Sequence, residues 1–67
     1  MKNESYGAPL ERGIIEKIED EKYRVASLTR HGIKSLPIKS MDNTLSIGDK
    51  VYFFLFQDGE GLIISKI

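Results

Sequence analysis

The sequence predicts an all-β domain, a single small five-stranded antiparallel barrel. Three observations carry this reading. Five short apolar segments are separated by polar ones along 67 residues. The polar segments hold Gly, Pro, Asn and Asp, the residues that reverse a chain. No window keeps an apolar stripe at helical spacing over three turns. A chain of this length makes one domain near the lower limit for independent folding.

Residues 1–9, MKNESYGAP, are polar and contain Gly7 and Pro9. They read as a flexible arm ahead of a barrel domain over residues 10–67. The first strand is expected over residues 10–18. Arg12, Ile14, Glu16 and Ile18 share a parity, and the two isoleucines predict that this set looks inward, with Ile15 breaking the alternation. Gly13 marks a bulge or a close approach of another chain segment. Glu19-Asp20-Glu21-Lys22 is a charged turn, and a solvated hairpin tip explains its carboxylates better than a metal site does. The second strand, residues 23–28, places Tyr23 and Val25 opposite Arg24 and Ala26, a half-buried pattern. The two strands form a hairpin.

Thr29-Arg30-His31-Gly32 is the next turn, where Gly32 supplies a positive φ. A third strand is expected over residues 33–38. Pro37 has no N–H to give a ladder, so this strand lies at an edge or ends there. Asp42-Asn43 signals a further turn. Leu45 and Ile47 share a parity and are expected to dock on the core, and Gly48-Asp49 turns the chain into Val51-Tyr52-Phe53-Phe54-Leu55-Phe56, the fourth strand. Gln57-Asp58-Gly59-Glu60-Gly61 is a tight loop. It lacks the alternating oxygen ligands of a calcium loop. Residues 62–67 close the chain as the fifth strand, with Leu62 and Ile64 on one parity and Ile63 and Ile67 on the other. OB-like and SH3-like barrels both use five such strands.

The fourth strand raises the functional question. A strand alternates its side chains between two faces, yet here both faces are apolar. Val51, Phe53 and Leu55 fit a core. Tyr52, Phe54 and Phe56 then need a cover: the arm with Tyr6, Pro9 and Leu10, a protein partner, or a nucleic acid. Burying one such aromatic side chain contributes roughly 1.5–3 kcal/mol, so a small domain gains by covering them. The sequence favours a protein interface through Tyr52, Phe54 and Phe56, with a second copy or another assembly subunit.

Composition narrows the remaining classes. There are no cysteines and one histidine, His31. Disulfides and cysteine zinc sites are excluded, and no cofactor or metal is expected. His31 has no nucleophile beside it in a recognisable motif, so no catalytic set and no enzyme activity are expected. Ten basic residues balance ten acidic ones, which disfavours a phosphate backbone as the main partner. The charge is uneven, however: residues 22–50 hold six basic against two acidic residues. Arg24, Arg30, Lys34 and Lys39 form a central basic band, and on an OB-like barrel it could track a nucleic acid while Tyr52 or Phe54 stacks on bases. That is the alternative reading, and a peptide docked along the edge near Pro37 is a weaker third. No apolar stretch is long enough to cross a membrane, and the N-terminus lacks an apolar signal core. A cytoplasmic location is expected.

Leu45-Ser46-Ile47-Gly48-Asp49-Lys50-Val51, the apolar strand after it, Asp58-Gly59-Glu60-Gly61 and Leu62-Ile63-Ile64 form a pattern. Together with the opening Gly13-Ile14-Ile15, it resembles small baseplate or tail-hub-associated β-barrel proteins of tailed phages and defective prophages. The resemblance covers residues 10–18 and 45–67. It implies a structural adaptor in a tail or baseplate, made in a bacterial cytoplasm or carried in a phage-like particle, with no catalytic residues.

Overall fold

The computed structural model describes residues 10–67. The arm at residues 1–9, with Tyr6 and Pro9, lies outside the described residues. The strands are β1 (Leu10–Glu19), β2 (Lys22–Ser27), β3 (Lys39–Ser40), β4 (Lys50–Leu55) and β5 (Gly61–Lys66), with no helix among the described residues. They form one curled sheet in the order β2-β1-β4-β5-β3. β1 and β2 make the expected hairpin, and its Asp20–Glu21 turn takes positive φ at both residues. Gly32 has the expected positive φ, +80°.

The sheet is mixed, which corrects the purely antiparallel expectation. β2 runs against β1, β4 against β1, and β5 against β4. The chain that leaves β2 returns against it, since the bridge between Tyr23 and Ile38 is antiparallel. It then continues into β3 without turning. That history makes β3 point the same way as β5, so Lys39 and Ser40 pair in parallel with Leu62 and Ile63.

The third strand also differs from expectation. Residues 33–38 follow the free edge of β2, but their ladder is broken. Ser27 N–H donates to Ile33 O at 2.8 Å, Ser35 N–H donates to Val25 O at 2.8 Å, and Tyr23 and Ile38 exchange both backbone bonds. The Val25 N–H donates instead to the Ser35 hydroxyl at 2.9 Å. Two bridges, Ala26 with Lys34 and Tyr23 with Ile38, enclose two residues on β2 and three on the returning chain. The extra residue and Pro37 prevent a regular strand. Regular pairing resumes only at β3.

The inward face of β1 is opposite to the one expected. Glu11, Gly13 and Ile15 are buried, Ile14 is half-buried, and Arg12, Glu16 and Ile18 are exposed. Two local causes explain the reversal. A Cβ on Gly13 would lie 2.5 Å from Val25 Cγ1 and 2.6 Å from Phe53 Cε1, so the missing side chain is what lets two core residues meet over β1. Between Ile15 and Lys17 the register with β2 slips by a bulge, after which β1 leaves the core.

The core comprises Ile15, Tyr23, Val25, Ile38, Leu45, Val51, Phe53, Leu55 and Ile63. Leu45 docks as expected, but Ile47 is exposed. Ile47 sits at the tip of a turn closed by Ser46 N–H donating to Asp49 Oδ2, and the turn bonds to β1 through its neighbours: Ile15 N–H donates to Asp49 O and Gly48 N–H to Ile15 O. The tip therefore projects away from the sheet. β4 starts one residue earlier and ends one residue earlier than expected, leaving Phe56 just beyond it. β5 likewise covers Gly61–Lys66, with Ile63 inward and Ile67 exposed past its end.

Candidate functional site

β4 divides its side chains cleanly. Val51 and Phe53 are 0% exposed and Leu55 is buried. On the other face Tyr52 is 36% exposed, Phe54 is half-buried, and Phe56, past the strand end, is 46% exposed. The register sets the neighbours of these side chains. Phe54 lies between Leu10 of β1 and Leu62 of β5, one row of large apolar side chains across three strands. Directly paired residues have Cβ atoms roughly 4.5–5.5 Å apart, which accounts for the partial burial of Phe54. In the next row Tyr52 lies between Arg12 and Ser65. Beyond Phe56 the chain turns back, with Gly59 N–H donating to Phe56 O at 3.0 Å and Phe56 N–H donating to Glu60 O at 2.7 Å. The outer face thus carries an apolar strip along β4 and its two neighbours.

The basic band is not a free surface. The Arg30 guanidinium grips Glu11 through two bonds, Nη2 to Oε2 at 2.6 Å and Nε to Oε1 at 3.2 Å. Glu11 is buried, and Ser27 Oγ also donates to it at 2.8 Å. Lys34 Nζ lies 3.3 Å from Glu16, and Arg24 Nε lies 3.5 Å from Glu19 Oε2. Those last two atoms are both shielded from water and make no hydrogen bond, and Lys17 Nζ lies 3.6 Å from the same Glu19 oxygen, so two cations share it. Among the described residues, Lys39 alone of the four predicted cations has no carboxylate within ion-pair distance. The acidic partners come from β1, the segment whose carboxylates balance the band.

The structure therefore brings Tyr52 and Phe54 together with two residues the sequence reading did not join to them, Leu10 and Leu62. It separates Arg24, Arg30, Lys34 and Lys39 into individual ion pairs and one lone lysine. Glu11 and Ser27 were also missed. The available signal was slight: a carboxylate two residues before Gly13, on the parity that Ile15 shares. His31 is exposed in its turn. Among the described residues no three His, Cys, Asp or Glu side chains are placed to hold a metal, and no helix is long and apolar enough to cross a membrane. A shallow recess of about 220 Å³ is lined by Asp20, Glu21, Lys22, Lys39, Ser40 and Asn43. It is polar and smaller than the roughly 300–1,000 Å³ of ordinary small-molecule sites.

Comparison of the sequence with models of protein families and with curated proteins finds no match.

Proposed function

We propose that this chain is a non-enzymatic assembly module, a small β-barrel that makes protein–protein contacts through Tyr52, Phe54 and Phe56 in a phage-like tail or baseplate. One observation carries the interface: the row Leu10–Phe54–Leu62, with Tyr52 and Phe56 beside it, lies on the face of the sheet away from the core. Soluble domains seldom leave such a strip uncovered unless it meets a partner. The tail or baseplate setting rests on the sequence resemblance.

The architecture we infer is a barrel of the OB type. Counting the Tyr23–Ile38 bridge as a β2–β3 pairing, the strands follow each other round a ring as β1-β2-β3-β5-β4 and back to β1. Four of them take the Greek-key order β4-β1-β2-β3. An odd ring cannot alternate direction throughout, so one parallel neighbour pair is required, and β3 with β5 supplies it. This ring also supports the second reading, a nucleic-acid module using Arg24, Arg30, Lys34 and Lys39. The ion pairs weigh against it, because cations already matched by carboxylates release fewer phosphate counterions. Under the assembly reading, mixed-sequence oligonucleotides fail to bind even at low salt.

The test of the interface is Phe54→Ser, with urea unfolding and solution mass measured in parallel. Removal of a half-buried aromatic side chain is expected to cost about 1 kcal/mol, leaving the fold cooperative while association weakens. A variant that no longer folds would place Phe54 in the core and refute the interface.

A further inference from the structure

The outer face is charged at its two ends, with opposite signs. At the start of β4, Lys50 is outward-facing and exposed, and Arg12 stands in the adjacent row beside Tyr52. Just past the other end, Asp58 and Glu60 are exposed on the loop that follows Phe56. Among the described residues none of these four has an ion-pair partner, although Glu11, Glu16, Glu19 and Asp49 all do. The apolar strip thus runs from an uncompensated cationic end, through Tyr52, Phe54 and Phe56, to an uncompensated anionic end.

We infer that the occupant of this face is a second copy of the same chain, stacked face to face about a two-fold axis that crosses β4 at Phe54, perpendicular to the strand. The inference rests on the assembly reading and supplies its partner. Two in-plane two-folds can bring a sheet face against itself. An axis along the strand would lay Lys50 over Lys50, like charge on like. An axis across the strand reverses the partner's direction. Phe54 then meets its own copy, Tyr52 meets Phe56, and Lys50 comes over the acidic loop of the partner. A two-fold interface must be self-complementary, and a strip with opposite charges on the two sides of its centre meets that requirement. Stacked sheets keep their strands within about 30° of alignment, which the long Lys and Glu side chains can span. The partner's contribution is apolar at the centre and ionic at both rims, so the charges set orientation while the aromatic strip supplies affinity.

The experiment uses the full chain, with mass measured by light scattering from micromolar to millimolar concentration. A dimer is expected. Lys50→Glu and Glu60→Lys, each alone, place like charges together at both rims and should weaken self-association by about tenfold. Asp58 is left in place because its Oδ1 accepts the Glu60 N–H at 2.9 Å and holds the loop. An equimolar mixture of the two variants should regain a dimer containing one of each. A wild-type chain that stays monomeric at millimolar concentration overturns the self-pairing, and so does a dimer that both reversals leave unchanged. Phe54→Ser separates the two levels. If it folds while the wild type is monomeric, only the two-fold fails. If it cannot fold, the interface itself fails.

Discussion

Gly13→Ala tests the packing argument most directly. The backbone of Gly13 is not in the positive-φ region, so alanine meets no torsional obstacle there. The obstacle is space. The new methyl would sit 2.5 Å from Val25 Cγ1, 2.6 Å from Phe53 Cε1 and 3.0 Å from the Ala26 carbonyl oxygen. Val25 and Phe53 are both 0% exposed, so neither can swing into solvent. Overpacking of this kind costs roughly 1–3 kcal/mol, and the lower chain entropy of alanine in the unfolded state returns about 0.4–1 kcal/mol. The net expectation is a loss of about 1–2 kcal/mol, a large part of the roughly 3–5 kcal/mol a domain this small can hold. Urea unfolding followed by circular dichroism reads it: with a slope of about 1 kcal/mol per molar, the midpoint falls by about 1–2 M. Val25→Ala should relieve the clash, so the double variant is less destabilised than the two singles added together. A Gly13→Ala midpoint equal to or above that of the wild type would refute the claim that Gly13 is present to let Val25 and Phe53 meet.

Two further outcomes follow from the polar groups. Glu11→Ala removes the buried acceptor of Ser27 and Arg30 and should cost about 1.5–3 kcal/mol in urea unfolding; a loss under about 0.5 kcal/mol would show that the Glu11–Ser27–Arg30 cluster is not holding the 28–32 turn. Asp42 accepts hydrogen bonds from the side chain and backbone of Thr44, which lower its carboxyl below the usual 3.8. A lowered folded value means this contribution is complete above the unfolded value and fades as pH falls through the folded one, in the range below pH 3.8. An NMR titration of the Asp42 carboxyl carbon should therefore show a midpoint below 3.8, and Thr44→Val should raise it.

The legible parts of the fold were those where apolar character and burial coincide. Tyr23 and Val25, and then Val51, Phe53 and Leu55, alternate with outward residues, and the structure buries them on that parity. The extent of β1, its hairpin with β2 and the close approach at Gly13 were legible, but its inward face was not, for two physical reasons. Its inward positions hold a glycine, whose role is to be small, and a glutamate, whose charge is answered by partners distant in sequence. Its bulge then shifts the phase in front of Ile18. Residues 33–38 were read as a strand because their composition suits one, but a serine hydroxyl replaces a backbone rung and no alternation reveals that. The candidate face was half legible. Its residues on β4 stand in one run, whereas Leu10 and Leu62 join it only through register, and the cancellation of the basic band depends on which carboxylates β1 turns toward it.

β5 has a consequence for how this chain is made. It follows the other four strands in the chain, yet it pairs with β4 on one side and β3 on the other, and Ile63 fills the core opposite Phe53. Until Gly61–Lys66 is in place, β4 has one ladder neighbour and β3 is tied to the sheet only through the bridge from Ile38 to Tyr23. The sheet is therefore incomplete until β5 has been made, with one side of the aromatic strand open in the interval. A chain cut before Gly61 would lose the strand that joins β3 to β4.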